Sequence, residues 1–142
     1  MNLIEIFGII IIHWYADFVL QTDKQERGKS KNWNDLLSHT FTYSLVFWSF
    51  IMGVTGLNVL TSFYFWLITF IAHTITDYFT SRLNSRLIPE REYAHNYGKS
   101  IDKYSFFRYK NESWHNFFVS VGFDQVLHYV QLFLTYYYLK TL

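Results

Sequence analysis

The stretch His13-Trp14-Tyr15-Ala16-Asp17 places a histidine and an aspartate four residues apart near the end of the first apolar run. In a helix this spacing puts both side chains on one face, about 6 Å apart along the axis. The same spacing recurs in His73…Asp77 and, in reverse order, in Asp124…His128. An ionisable side chain at the centre of a bilayer costs about 2.5–3.5 kcal/mol. Three such pairs inside apolar segments therefore indicate a common role.

The chain has four apolar segments, at residues 3–20, 36–60, 63–79 and 117–139. Each is close to the length that crosses a bilayer as a helix. Hydrophobic residues make up 51% of the chain and charged residues 16%, and the charges lie mainly in two blocks, 21–34 and 80–113. A soluble domain would spread its charges along exposed helix faces. We therefore expect an all-α polytopic membrane protein, a single four-helix transmembrane bundle over residues 1–142 with a long cytoplasmic loop between helices three and four.

Basic residues predict the orientation of these segments. Eleven of the twelve Lys and Arg residues fall in the two polar blocks, and cytoplasmic loops carry an excess of such residues. Both blocks are therefore expected on the cytoplasmic side, and both termini on the opposite side. The first apolar run lacks a basic start and a small-residue cleavage site, so we expect it to remain as a span.

This orientation gives the His/Asp pairs a common geometry. Segments one and three run toward the cytoplasm with histidine first, whereas segment four runs away from it with aspartate first. The three aspartates are therefore expected in one layer nearer the cytoplasm, and their three histidine partners in a deeper layer. His39, near the start of segment two, adds a further imidazole to this set.

A divalent metal ion is the best match for these side chains. The chain has no cysteine, so the ligands must be nitrogen and oxygen, which suits Zn²⁺ best and Mn²⁺ or Fe²⁺ as alternatives. Helical bundles build two-metal sites from inward-facing carboxylates and histidines about one turn away. The candidate ligands, enough for one or two ions, are His13, Asp17, His39, His73, Asp77, Asp124 and His128.

Two other interpretations of the same residues stay open. Interhelical polar bonds hold some helix bundles together without a metal, and chains of His and Asp line proton and ion pathways. Gln21, four residues after Asp17, and Gln125, next to Asp124, are candidates for orienting the ligands. Asp35 stands at a helix start, where it would serve equally well as an N-cap or as a ligand.

Charge gives little support for a nucleic-acid partner. The formal net charge is only +1, so we expect no nucleic acid to bind. Membrane lipid is the expected partner. The basic blocks leave open a cytoplasmic protein partner, and self-association into a homo-oligomer is open as well.

The string His13-x-x-x-Asp17-Phe18-Val19-Leu20-Gln21, followed by His39, His73-x-x-x-Asp77 and Asp124-Gln125-x-x-His128, resembles a known family. It is similar to the small membrane proteins of bacteria and phages labelled domain of unknown function 3307, over nearly the whole chain. The resemblance implies a four-helix protein of the bacterial inner membrane or of a phage-infected host membrane. It implies no activity.

These observations lead to one main hypothesis and two alternatives. The main hypothesis is an integral membrane metalloprotein that hydrolyses a lipid or a membrane-proximal ester or phosphoester with a metal-activated water. The sequence leaves open whether the protein is an enzyme at all. The alternatives are a transporter or channel for protons or divalent ions, and a non-catalytic membrane adaptor that uses its basic loops.

Overall fold

The computed structural model describes residues 1–87 and 103–141, with side chains at residues 1–87 and 115–141. Every regular element in these ranges is helical, which confirms the all-α prediction. The elements are α1 (Leu3–Trp14), a π-helical turn (Tyr15–Val19), α2 (Asp23–Gly28), α3 (Trp33–Val54), α4 (Val59–Leu87) and α5 (Lys103–Thr141).

Side-chain caps begin the first three helices. Asn2 and Glu5 form a reciprocal capping box at the start of α1, and Thr22 and Gln25 form another at the start of α2. Such boxes satisfy backbone N–H groups that have no partner within the helix. The N-cap of α3 is Asn32, whose side chain accepts from the backbone N–H of Asn34. Asp35 is therefore not the N-cap of this helix.

The polar blocks contain more helix than the sequence analysis predicted. The polar composition of block 21–34 predicts a loop, but the block includes α2. The helix α4 continues to Leu87 and α5 begins at Lys103, so the loop prediction for residues 80–113 is wrong at both ends, and its middle, 88–102, lies outside the described residues. Polar composition ends a membrane span but not a helix, since Arg, Lys and Leu are good helix formers.

The four long helices form a closed ring in which all neighbours run antiparallel. The Phe47 ring of α3 lies 6.1 Å from that of Phe65 on α4, and Phe65 lies 6.3 Å from Tyr136 on α5. The ring closes where Lys140, near the end of α5, contacts Glu5 in the first turn of α1. Because α1 packs against α3 and α5 as well, each helix has one interior face.

The interior of this ring is unusually polar and its outside unusually apolar. Among the described side chains, 16 polar or charged residues are buried against 10 apolar ones, while 33 large apolar side chains are exposed. Soluble monomers bury apolar residues and expose only small apolar patches. The distribution is therefore inverted relative to that of a soluble helical domain.

Two of the four predicted spans qualify as membrane-crossing helices by their own length and hydropathy. Within the described parts of the chain, these are Val59–Leu87 and His115–Thr141. The helix α1 has 12 residues and is too short to qualify alone, and α3 carries polar residues on its inward face. By length and composition, α4 and α5 are thus each able to cross a membrane.

The short connection from α2 to α3 is held by a tight contact. The carbonyl of Gly28 accepts from the backbone N–H groups of Lys31 and Asn32, and a Cβ added at Gly28 would collide with the carboxylate of Asp35. Glycine is therefore required by space at this position. The contact fixes the backbone position of the next residue, Lys29.

We expect Gly28→Ala to destabilise the protein by about 1–3 kcal/mol, the usual cost of overpacking. The measurement is the thermal unfolding midpoint of the purified protein in detergent. Gly53→Ala is the matched control, because a Cβ at Gly53 meets no atom within 4 Å. Equal midpoints for the two variants would contradict a tight contact at Gly28.

Candidate metal centre

The seven predicted ligands lie in a single buried cluster inside the helix ring. Each is at most 6% exposed, and α1 with its π-helical turn, α3, α4 and α5 all contribute. The histidine rings form one contiguous group, with centroid distances of 5.5 Å for His13 and His128, 4.2 Å for His73 and His128, and 5.4 Å for His39 and His73. Residues as far apart in the chain as His13 and His128, a separation that no local pattern would reveal, thus meet in one place.

Four of these residues direct one atom each toward a common point. His39 Nε2 lies 3.1 Å from Asp17 Oδ1 and 3.4 Å from Asp77 Oδ2. His73 Nε2 lies 3.3 Å from His39 Nε2 and 3.7 Å from each of the same two carboxylate oxygens. Asp17, His39, His73 and Asp77 therefore form a compact set of two nitrogen and two oxygen ligands.

The spacing of these four atoms matches the edges of a coordination tetrahedron. Metal–ligand bonds of about 2.0–2.2 Å in tetrahedral geometry place neighbouring ligand atoms about 3.3–3.6 Å apart. The five separations above run from 3.1 to 3.7 Å. A single proton on His39 Nε2 can serve only one of its three neighbours, so hydrogen bonding alone satisfies the set poorly. These buried groups could hold a metal ion.

A second group shares Asp77 with the first. Asp77 Oδ1 lies 3.4 Å from His128 Nε2, and His128 Nδ1 lies 3.5 Å from Asp124 Oδ1. Within the described residues, His128 Nε2 and Asp124 Oδ1 are buried without a hydrogen-bond partner. Buried polar atoms in this state are costly unless something binds them. Asp77, Asp124 and His128 therefore form a second potential ligand set.

His13 stands at the edge of the cluster, with both ring nitrogens hydrogen-bonded. Its Nδ1 lies 2.7 Å from the Tyr43 hydroxyl and its Nε2 lies 2.7 Å from Gln125 Oε1. With Asp17 and His128 it makes a third group of potential ligands. Its role as a ligand stays a prediction, because both nitrogens already have protein partners.

The two glutamines named in the sequence analysis contact the cluster. Gln125 donates through Nε2 to Asp17 Oδ2 at 3.2 Å and to Asp124 Oδ2 at 3.3 Å. The amide of Gln21, in the orientation that satisfies its hydrogen bonds, donates to the backbone carbonyl of Asp17 at 3.1 Å. Gln125 is thus placed to fix two carboxylates, whereas Gln21 holds the backbone of Asp17.

The π-helical turn Tyr15–Val19 carries Asp17 into the cluster. In this turn the backbone N–H of Leu20 donates to the carbonyl of Tyr15, five residues earlier, whereas an α-helix bonds residues four apart. Such turns inside helices are frequent at functional sites. The turn places Asp17 against His39 and His73, while both Asp17 and His13 still contact Gln125.

Lys29 is the member of the site that the sequence analysis missed. Its ammonium donates to Asp77 Oδ2 at 3.0 Å and to the side-chain oxygen of Gln21 at 3.2 Å. Burial disfavours the charged form, but the carboxylates of Asp77 and Asp17 outweigh this and raise the pKa of Lys29 above its ordinary value. The residue stands in a basic block 48 positions before Asp77. In the sequence, only the capping pattern Thr22-x-x-Gln25, which predicts α2, indicates that this block is folded.

Other polar residues of the chain lie outside the cluster. Asp35 is buried against Gly28 and pairs with Lys24 at 3.7 Å. Arg82 stacks over the Tyr78 ring, 3.6 Å from its centroid, and donates to the Tyr78 carbonyl. His115 is exposed at the start of the described part of α5. None of these approaches the ligand set.

We expect Tyr43→Phe to destabilise the protein by about 1–3 kcal/mol, because it leaves a buried His13 nitrogen without its partner. The thermal unfolding midpoint in detergent measures this effect. Tyr137→Phe, at an exposed tyrosine of α5, removes the same hydroxyl and should leave the midpoint unchanged. A Tyr43→Phe midpoint equal to that of the control would show that the His13 contact contributes nothing.

Comparison with known protein families assigns the chain. The model of the family described as protein of unknown function, DUF3307, matches residues 6–142, so the chain belongs to this family. The match confirms the resemblance seen in the sequence. No curated protein and no solved structure gives a significant match.

Proposed function

We propose that this member of the DUF3307 family is an integral membrane metalloprotein that hydrolyses an ester or phosphoester bond at the membrane. The observation that carries the proposal is the convergence of Asp17, His39, His73 and Asp77 at separations suited to one metal ion. Zn²⁺ best matches two imidazoles and two carboxylates, and Mn²⁺ and Fe²⁺ are the alternatives.

The inverted distribution of polarity supports a location inside the bilayer. The exposed apolar side chains cover α1, α4 and α5, while the charged groups of the site face inward. In a bilayer the outward surface would contact lipid, and the four long helices would cross it as a bundle. The basic residues of the α1–α3 connection and of the chain after α4 would face the cytoplasm, with both termini on the other side.

Charge supports a metal over a metal-free polar network. Asp17, Asp77 and Asp124 bring three carboxylates into one buried volume. Among the lysines and arginines whose side chains the structure describes, Lys29 is the one that contacts these carboxylates, through Asp77. Buried carboxylates must be paired, protonated or bound to a metal. Divalent ions would compensate the remaining charge and satisfy the unpartnered atoms of His128 and Asp124 at once.

Two adjoining ligand groups support hydrolysis as the reaction class. Because the two oxygens of Asp77 face different groups, this carboxylate can bridge two ions, as in two-metal hydrolases. Ions bound there would polarise the scissile bond and activate the attacking water. The protein's own part is to hold the ligands still, which Gln125 does for Asp17 and Asp124.

We expect the protein purified in detergent without chelator to contain one or two divalent ions per chain. Asp77→Asn should reduce this content strongly, because Asp77 belongs to both ligand groups. Elemental analysis by mass spectrometry measures the content.

Asp35→Asn is the matched control, since Asp35 is a buried aspartate away from the cluster. It should retain the wild-type metal content. A folded wild-type protein that contains no metal, and whose unfolding midpoint does not change on adding Zn²⁺, would overturn the metal proposal.

We expect the metal-loaded protein in lipid vesicles to cleave at least one member of a panel of lipid and soluble esters and phosphoesters. A chelator or Asp77→Asn should abolish turnover, whereas Asp35→Asn should not, and product release measured by chromatography reports it. If the metal-loaded protein cleaves no member of the panel, the hydrolysis proposal is overturned and the metal-binding proposal stands.

A further inference from the structure

We infer that Lys29 is an anion-binding residue of the metal centre and that its ligand is the phosphate group of a phosphoester. This inference rests on the proposed function and narrows its substrate class, because it favours a phosphoester over a neutral ester or amide. It depends on where Lys29 lies, on which atom it contacts and on the charge of the loaded site.

Lys29 connects the buried cluster with the outside of the helix ring. Its side chain is 15% exposed, whereas that of Asp77 is 1% exposed. The aliphatic part of a lysine can lie along an apolar wall while its ammonium reaches a polar partner. Lys29 therefore lies between the buried cluster and the protein surface, on the side from which a ligand would reach the cluster.

Lys29 and the proposed metal ion contact the same atom. The ammonium donates to Asp77 Oδ2 at 3.0 Å, and this oxygen also belongs to the four-atom ligand set. An ion held by Asp77 would draw negative charge from that oxygen and weaken its hold on the ammonium. Lys29 would then be able to donate to a new anionic partner.

The charge of the loaded site favours an anion. With both ligand groups occupied, two divalent ions and one ammonium would bring five positive charges against the three negative charges of Asp17, Asp77 and Asp124. The site would then carry two surplus positive charges in a water-poor interior, where uncompensated charge is costly. A phosphate dianion balances this surplus, whereas a neutral ester does not.

Other cations at this end are committed elsewhere. Arg82 stacks on Tyr78 and donates to its backbone carbonyl. Lys24 is 83% exposed and pairs with Asp35 rather than with the cluster. Among the lysines and arginines whose side chains are described, Lys29 is thus the one placed to donate a charge-assisted hydrogen bond to a molecule bound at the metal ions.

The test is a calorimetric titration of inorganic phosphate into the metal-loaded protein in phosphatidylcholine nanodiscs. The wild type should bind phosphate when loaded and much more weakly without metal. Lys29→Met should keep its metal content but bind phosphate about ten- to hundredfold more weakly, the expected loss of one charge-assisted hydrogen bond. Lys29→Arg should restore most of the affinity, and Lys24→Met should behave as the wild type.

The outcomes separate this inference from the proposed function. A protein that binds no metal overturns the proposed function, and this inference with it. A metal-loaded wild type that binds no phosphate, or a metal-loaded Lys29→Met that binds it as tightly as the wild type, overturns the role of Lys29 alone. Should Lys29→Met fail to fold, a metal-loaded wild type that binds no phosphate still overturns the inference, and the affinity of Lys29→Arg still tests whether a cation at this position supports it.

A second arm identifies the source of the phosphate. Nanodiscs that contain phosphatidic acid present the same group on a lipid. Weaker binding of inorganic phosphate in these nanodiscs would show that the lipid headgroup occupies the site and supports a lipid substrate. Unchanged binding would support a soluble phosphoester.

Discussion

The arrangement of this protein depends on the two carboxylate oxygens of Asp77, which face different groups. Oδ2 meets His39, His73 and Lys29, and Oδ1 meets His128. Through this one side chain, α3, α4, α5 and the α2–α3 connection are tied to a common point. An anionic group buried to this degree persists only when every neighbour compensates it, so the surrounding helices are held to a narrow set of positions.

Much of the site could be predicted from residue spacing, because a helix places residues four apart on one face whatever its surroundings. That rule alone predicts that His73 lies on the same helix face as Asp77, and Asp124 on the same face as His128. The antiparallel order of the spans then predicts that the pairs meet at similar depth. His13 and Asp17 also belong to one group of potential ligands, but the π-helical turn that carries Asp17 is a local feature that residue spacing does not reveal.

Lys29 and the length of the long helices could not be predicted from hydropathy, for a common reason. Hydropathy reports where a helix leaves an apolar environment, whereas helix propensity and capping decide where it ends. Thus α4 continues to Leu87 and α5 begins at Lys103 although both reach into polar sequence. A lysine in such sequence gives no sign that it folds back onto an aspartate 48 residues later.

The order of the ligands along the chain has a consequence for how the protein is made. The four-atom set of Asp17, His39, His73 and Asp77 lies entirely before α5, as does Lys29. A ribosome therefore completes this set, with a cation to accompany its carboxylates, before Asp124 and His128 are synthesised. The three long helices made before α5 can therefore bring their charged side chains together with the charge partly compensated, and α5 adds its two candidate ligands to a set that is already complete.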